Sequence, residues 1–287
     1  MRQILRKLLL VAVVASVLAA GIGSSPSSVR AYHTYRERLL DDSAYSLERR
    51  EARLGLMQMS YGILDELQVT TYTYPWILGA IFQRVAPNVE LKSTFYDRRK
   101  LALSASVGFV TGTITQSDSA KLRYFIVPTA ITASVRPTSL ISFHLGGKFT
   151  ATDFSGIVQA EGNDVGGAVV VNLLQVFGML EWRLSRVTAF TFLVRWAPYV
   201  SNSVLRGDIT IGDDTEGTIE AEVDTDDLKN AWALVPGFTF SWARTNLKLG
   251  VGYGDLFLPG IGLLVPGAFP RRGTPTPVLE FDIFVRF

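Results

Sequence analysis

The side chains best suited to catalysis lie around one of the two histidines in the sequence. His144 follows Ser142 by two residues, and alternate residues of an extended strand share one face. With a carboxylate from a neighbouring strand they would have the components of a hydrolytic triad. The apolar residues Ile141, Phe143 and Leu145 occupy the opposite face, and no glycine-elbow sequence surrounds Ser142. We therefore predict a hydrogen-bonding role for His144 inside the protein and no enzymatic activity.

A dense acidic cluster occupies the segment 199–227, which contains nine carboxylates and a single basic residue, Arg206. Carboxylates at this density attract divalent cations, but their spacing lacks the fixed glycine and the terminal glutamate of a calcium-binding loop. We therefore predict a solvated extracellular hairpin that extends the flanking strands. The sequence predicts no metal site and no cofactor.

Charged residues of both signs recur at alternate positions of strand-like segments. In the C-terminal sequence PVLEFDIFVRF, Glu280, Asp282 and Arg286 share one face, with Phe284 as the exception. Polar faces of this kind line the interior of transmembrane barrels. The predicted lumen-facing residues are Glu90, Lys92, His144, Lys148, Arg195, Lys248, Glu280, Asp282 and Arg286.

The elements that position these charges are strands with one large apolar face. The sequence WALVPGFTFSW, 232–242, places Phe238 and Phe240 on one face and Thr239 and Ser241 on the other. The segments LALSASVGF, FTFLVRW and LKLGVGYGD alternate in the same way. This arrangement is inverted relative to a soluble β-sandwich, in which the outward face is polar. The pattern predicts an antiparallel transmembrane β-barrel whose apolar face contacts lipid.

The connections between these strands alternate in length. Tight polar turns over 97–100, 136–139, 184–186 and 243–246 are separated by longer links, among them TQSDSA and DFSGIVQAEGND. Transmembrane barrels have short periplasmic turns and longer extracellular loops. Eleven candidate strands, the first over 52–62, are followed back from the C-terminus, and bacterial barrels have even strand numbers. The sequence SAYSLERR, 43–50, would supply a short first strand and give about twelve; ten is the alternative if 52–76 packs differently.

Tryptophans lie close to the predicted strand ends. Trp182 and Trp242 adjoin short turns, whereas Trp196 and Trp232 adjoin the longest link. Aromatic girdles occupy both membrane interfaces of transmembrane barrels. These four residues are therefore the predicted interfacial girdle.

The N-terminus has the pattern of a secretory signal peptide. Arg2, Arg6 and Lys7 precede an apolar run over 8–23, and small residues precede the predicted cleavage site after Ala31. The predicted organisation is therefore a cleaved signal peptide at 1–31, a periplasmic segment at 32–51 with the first strand as an option, and a barrel at 52–287. The net charge of +2 includes the basic signal residues, so the sequence offers no concentrated basic face for nucleic acid.

The C-terminus resembles the sorting signal of Gram-negative outer-membrane β-barrel proteins. It is an alternating apolar series that ends on a phenylalanine, formed by Leu279, Phe281, Ile283, Val285 and Phe287. The sequence MSYGILDELQVTTYTYPWIL, 59–78, is similar to a tyrosine-glycine, acidic-turn hairpin of poorly characterised, porin-like barrel families. The resemblance implies residence in the outer membrane, contact with lipid and lipopolysaccharide, and recognition by the barrel-assembly machinery.

Three functions follow from these patterns. Inward charges of both signs predict a pore or channel for small solutes. The first alternative is a non-conducting structural or binding barrel, because at ten to twelve strands the inward side chains and a folded segment can fill the lumen. The second, weaker alternative is an outer-membrane lipid hydrolase.

Overall fold

The computed structural model describes residues 42–73, 75–76, 87–98, 100–117, 120–160, 163–201, 203–211, 215–223, 230–242, 244–254 and 276–287. The predicted signal peptide at 1–31 lies outside the described residues. Among those residues there is no helix long and apolar enough to cross a membrane.

The described residues form fourteen antiparallel strands. They are β1 (Ala52–Gly55), β2 (Gln58–Leu64), β3 (Leu67–Tyr72), β4 (Asn88–Arg98), β5 (Leu101–Ser117), β6 (Ala120–Val135), β7 (Ile141–Ala160), β8 (Asn163–Arg183), β9 (Thr188–Val200), β10 (Ser203–Ile211), β11 (Thr215–Val223), β12 (Trp232–Trp242), β13 (Thr245–Gly254) and β14 (Thr276–Arg286). Thr73, Pro75 and Trp76 have helical conformation after β3.

Twelve of these strands close into a barrel. Neighbouring strands pair in the order β1 to β9, then β12, β13 and β14, and β14 pairs with β1 to complete the ring. The remaining strands, β10 and β11, form a hairpin in which β10 pairs with the N-terminal part of β8. The predicted all-β, antiparallel barrel of about twelve strands is therefore confirmed.

The barrel is polar inside and apolar outside. In β12 the outward Phe238 is exposed, whereas the adjacent inward Thr239 is buried. The same alternation covers the barrel, with buried polar side chains such as Gln68, Thr132 and Gln175 and exposed apolar ones such as Ile131 and Leu145. A surface with this distribution is stable in hydrocarbon and not in water, because apolar area exposed to water is unfavourable.

Connections at one end of the barrel are consistently short. We call this end, which contains the connections 65–66, 99–100, 136–140, 184–187 and 243–244, the short-turn end, and the opposite one the long-connection end. At the long-connection end, two predicted links are mostly strand: β5 and β6 are separated only by 118–119, and β7 and β8 only by 161–162. These strands contain up to 21 residues, whereas β1, β2 and β3 contain 4, 7 and 6. The wall therefore differs in height around the ring.

Two expectations for the N-terminal region were wrong. The predicted strand over 52–62 is two strands, β1 and β2, which are joined by a turn at Leu56 and Met57. The optional strand at 43–50 is not formed, and these residues contain no strand. Ser43, Ala44 and Leu47 are instead buried inside the barrel, where Ala44 N and Leu47 N donate hydrogen bonds to the inward side chains of Ser134 and Gln68.

Candidate functional site

The lumen at the short-turn end is filled by residues 42–47, which we call the inserted segment. Its residues lie against the inner wall, although they belong to no strand. Four hydrogen bonds attach it to β3, β4 and β6: Ala44 N to Ser134 Oγ at 2.7 Å, Thr94 Oγ1 to Ala44 O at 2.7 Å, Ser46 Oγ with Thr94 Oγ1 at 2.6 Å, and Leu47 N to Gln68 Oε1 at 3.0 Å. The polar inner face thus replaces water as the partner of the segment's backbone.

The β2–β3 hairpin is shaped to accept the chain where it leaves the lumen. Gly62 of β2 lies directly against the backbone carbonyl of Glu48, and a Cβ atom at this position would overlap that carbonyl. In the acidic turn, Asp65 Oδ1 accepts a hydrogen bond from Arg49 N at 2.9 Å. The tyrosine-glycine, acidic-turn sequence therefore has a structural explanation, since its glycine and its aspartate hold the turn that follows the inserted segment.

A connected series of buried polar side chains extends from the inserted segment along the inner wall. Ser134 Oγ accepts the Ala44 N–H and shares a hydrogen bond of 2.7 Å with His144 Nδ1. His144 Nε2 then faces Glu181 Oε2 at 3.5 Å, and Glu181 Oε1 accepts a hydrogen bond from Arg183 Nε at 3.0 Å. His144 has the inward orientation that the sequence predicts, but its serine partner is Ser134 on the neighbouring strand.

The Ser134, His144 and Glu181 side chains have the order of a hydrolytic triad, although their surroundings differ from those of an active site. Ser134 is 0% exposed, and the inserted segment covers it. Glu181 also binds Arg183, which competes with His144 for its charge. A reactive serine needs space for a substrate carbonyl next to its oxygen. In this arrangement the space is occupied by the chain itself.

Beyond the inserted segment lies a cavity of about 250 Å³. Asp42 and Ser43 line it, so the segment forms one of its boundaries. Glu280 is held between two cations, with Arg195 Nη1 at 2.6 Å and Lys248 Nζ at 3.2 Å. Asp42 reaches the same cations, at 3.4 Å from Arg195 and 4.0 Å from Lys248. This ion-pair cluster links the inserted segment to the barrel wall.

Most of the predicted lumen residues contribute to this cavity. The structure places seven of them in its lining: Glu90, Lys92, Lys148, Arg195, Lys248, Glu280 and Asp282. His144 lies closer to the short-turn end, and Arg286 binds Glu51, with Nη2 2.5 Å from Oε1. The sequence did not identify Asp42 or Arg53 as cavity residues, because neither belongs to a long alternating segment.

The C-terminal residues contribute to both faces of the wall. Leu279, Phe281 and Phe287 are exposed on the outer face, Ile283 is half-buried, and Val285 is buried. Phe284, the exception to the predicted alternation, is buried in the lumen beneath the guanidinium of Arg53, which lies 3.9 Å from the ring centre. Such a cation–π contact stabilises an inward aromatic ring next to a charge.

The remaining predicted residues also have definite places. Trp182, Trp196 and Trp242 are exposed at the ends of β8, β9 and β12, and Trp232 is half-buried against Tyr253.

The acidic segment, 199–227, contains the β10–β11 hairpin. No group of three or more His, Asp or Glu side chains suited to a metal ion is present in the part of the chain that the structure describes.

Comparisons with known proteins extend only to the fold. No protein-family model matches the chain, and no curated protein matches it in sequence. Among solved structures it is similar to the TodX monoaromatic hydrocarbon channel deltaS2 mutant, with 9% identity over 84% of this chain and 67% of that chain and a TM-score of 0.47. It is also similar to LpxR from Salmonella typhimurium, with 9% identity over 69% of this chain and 88% of that chain and a TM-score of 0.29. CdiB from Escherichia coli shares 8% identity over 84% of this chain and 64% of that chain, with a TM-score of 0.30. The closed barrel itself, apolar outside and polar inside, gives the chain the architecture of an outer-membrane β-barrel.

Proposed function

We propose that the protein conducts small solutes across the outer membrane of a Gram-negative bacterium and that the inserted segment controls their passage. The observation that carries this proposal is the charged cavity, whose boundary on one side is the inserted segment. Its volume of about 250 Å³ is slightly below the roughly 300 to 1,000 Å³ of pockets for drug-sized ligands. The expected solutes are therefore small, and the charges of both signs favour polar ones.

The proposed location follows from the outer surface and the predicted signal peptide. The short-turn end, which also contains Phe287, faces the periplasm in this orientation, and the long-connection end faces the exterior. Lipid and lipopolysaccharide surround the exposed apolar side chains, and the barrel-assembly machinery recognises the C-terminal strand. Cell fractionation tests the location, because recovery as a soluble periplasmic protein contradicts it.

Control by the inserted segment is physically reasonable because no strand ladder holds it against the wall. The four hydrogen bonds to β3, β4 and β6 contribute roughly 1 kcal/mol each, since water is the competing partner in the displaced state. Displacement also breaks the ion pairs of Asp42 with Arg195 and Lys248. The inner wall that it leaves would remain hydrated and polar. Displacement therefore needs no rearrangement of the barrel strands.

A disulfide staple tests this control directly. Ser46 Oγ and Thr94 Oγ1 share a hydrogen bond of 2.6 Å, so the two side chains point at each other as those of a disulfide must, and the chain has no cysteine of its own. In a planar bilayer, the Ser46→Cys/Thr94→Cys protein should conduct less when oxidised and recover when reduced. The two single-cysteine variants, treated identically, are the controls. Equal conductance in both redox states would contradict control by the segment.

The first alternative, a non-conducting barrel, is favoured by the filled short-turn end. It predicts no conductance in the unmodified protein, in the reduced double-cysteine protein or in a variant such as Thr94→Ala that loosens the segment. The lipid-hydrolase alternative is not supported by the position of Ser134, because this side chain is fully buried and a lipid substrate has no access to it. Conductance of the loosened variant therefore decides between the two barrel functions.

A further inference from the structure

Where the ring of strands closes, β1 pairs with a shorter part of β14 than β13 does. β13 pairs with β14 along the whole of β14, from Gly254↔Thr276 to Thr245↔Val285. β1 pairs only with its last part, through Arg53↔Arg286, Leu54↔Val285 and Gly55↔Phe284. The last backbone-to-backbone hydrogen bond of this seam joins Leu56 N to the carbonyl of Ile283 at 3.0 Å.

Residues 276–281 of β14 extend beyond that hydrogen bond. No other strand pairs with this edge of β14 among the residues that the structure describes. Six residues of antiparallel strand correspond to about 20 Å of length. The neighbouring β1–β2 hairpin does not extend along this part of β14, because β1 ends at Gly55 and β2 starts at Gln58. We call this region, bounded by 276–281 and by the β1–β2 turn, the seam gap.

The charged cavity adjoins the seam gap. Glu280 and Asp282 point inward and line the cavity, as expected. Phe281 lies between them in sequence, points outward and is 42% exposed, yet it lines the same cavity, together with Met57 of the β1–β2 turn. Phe281 and Met57 lie on the two sides of the seam gap, so the cavity borders this gap from within. Among the residues that the structure describes, the seam gap therefore lies between the cavity and the lipid-facing surface.

The two sides of the seam gap differ in chemistry. On the outer side Leu279 and Val251 are highly exposed apolar residues. On the inner side the cavity contains five cationic and four anionic side chains, which are Arg53, Lys92, Lys148, Arg195 and Lys248 and Asp42, Glu90, Glu280 and Asp282. Asp282 binds Arg53 at 2.6 Å, whereas Lys148 has no ion-pair partner among the described residues. The cavity thus has an available positive charge.

We propose that the seam gap is a lateral entrance through which an amphiphile with an anionic head group passes from the bilayer into the cavity. The apolar chain stays beside Phe281 and the outer face, where it avoids water, and the head group binds near Lys148. An anion is preferred over a neutral head group because it gives Lys148 a counter-charge in a partly desolvated site. The inference rests on the proposed function only in requiring that the barrel spans a lipid bilayer.

Site-directed bimane labelling tests the connection, using the absence of native cysteine. Phe281→Cys has a matched control in Phe238→Cys, since both side chains face outward with 42% exposure and Phe238 lies in a fully paired part of the wall. Ser106→Cys reports the cavity itself. In liposomes, brominated lipid should quench the labels at 281 and 238, and aqueous iodide should quench those at 281 and 106. A label at 281 that iodide does not reach, although it reaches 106, would overturn the entrance.

A photoreactive probe tests the ligand class independently. The probe is a twelve-carbon alkyl carboxylate with a diazirine beside the head group, compared with the matching alcohol in vesicles that contain the folded protein. The carboxylate should label cavity residues such as Met57, and Lys148→Gln should reduce this labelling about tenfold, equivalent to about 1.4 kcal/mol. Lys100→Gln, at an exposed turn, is the control and should leave it unchanged.

The outcomes separate the entrance from the conducting function. If iodide does not reach the label at 106, the cavity is closed to water and conduction fails, while cavity labelling by the carboxylate still supports the entrance. Labelling confined to outer-face residues, or equal labelling by the carboxylate and the alcohol, contradicts the proposal. Heat-modifiable gel mobility of each variant verifies that its barrel is folded.

Discussion

Replacing Asp282 with alanine should weaken the closing seam by leaving a buried cation without its partner. The Arg53 and Asp282 side chains are only 1% and 6% exposed, and Arg53 Nη2 lies 2.6 Å from Asp282 Oδ2. The same carboxylate accepts a hydrogen bond from Met57 N at 3.1 Å, in the turn between β1 and β2. One side chain therefore joins the last strand to β1 and to the turn that follows β1.

The expected cost is large because both side chains of the pair are buried. Removing one member of a buried ion pair typically costs about 3 to 5 kcal/mol, most of it from the charge left behind. The double substitution Arg53→Met/Asp282→Leu removes both charges, and methionine can still pack against Phe284. We expect this double variant to regain at least about 2 kcal/mol relative to Asp282→Ala, since apolar replacements of a buried pair are often nearly neutral.

Urea unfolding in lipid vesicles, followed by the fluorescence of the native tryptophans, measures these free energies. Glu66→Ala, in the exposed β2–β3 turn, is the control and should change the free energy of unfolding by less than about 0.5 kcal/mol. An Asp282→Ala protein as stable as this control would refute the reasoning. So would a double variant that is no more stable than the single one.

Four further predictions concern assembly, gating and chemistry. Deleting Phe287 removes both of its backbone hydrogen bonds to β1, so immunoblots of outer-membrane fractions should show less folded protein, while surviving barrels should keep their conductance. Mass spectrometry of the exported protein should find an N-terminus created by cleavage after Ala31. Gly62→Ala should push the turn after the inserted segment out of place and raise conductance, whereas Gly147→Ala, where an added Cβ meets nothing within 4 Å, should not. The purified protein should not hydrolyse phospholipid or lipopolysaccharide, and an activity that His144→Ala abolishes would contradict this prediction.

Most of the fold could be predicted from the sequence because apolar and polar residues alternate along the strands. Pairs such as Phe238 and Thr239 reveal the inverted faces because lipid and lumen select opposite side chains at successive positions. The long strands gave poorer signals at the long-connection end, where TQSDSA and DFSGIVQAEGND were interpreted as links. A strand that rises beyond the hydrocarbon layer meets water on both faces, so selection for an apolar face ends although the hydrogen-bonded ladder continues.

The interior was less predictable because it depends on register between distant strands. Ser134 and His144 are paired directly across β6 and β7, and Glu181 approaches from β8, so their contact is a property of the assembled sheet. The inserted segment has no periodic pattern at all, since it belongs to neither a helix nor a strand. Its buried Tyr45 and Leu47 could be recognised only once the surrounding wall was known.

The unequal wall heights also affect how the protein sits in its membrane. A strand that crosses the hydrocarbon layer at the usual tilt needs about 9 to 11 residues. β1, β2 and β3 have 4, 7 and 6, while β7 and β8 on the other side of the ring have 20 and 21. Hydrophobic mismatch of this kind is relieved by local thinning of the bilayer or by tilting of the protein. We therefore expect the barrel axis to tilt away from the membrane normal, with the thinnest and least ordered lipid beside β1 to β3.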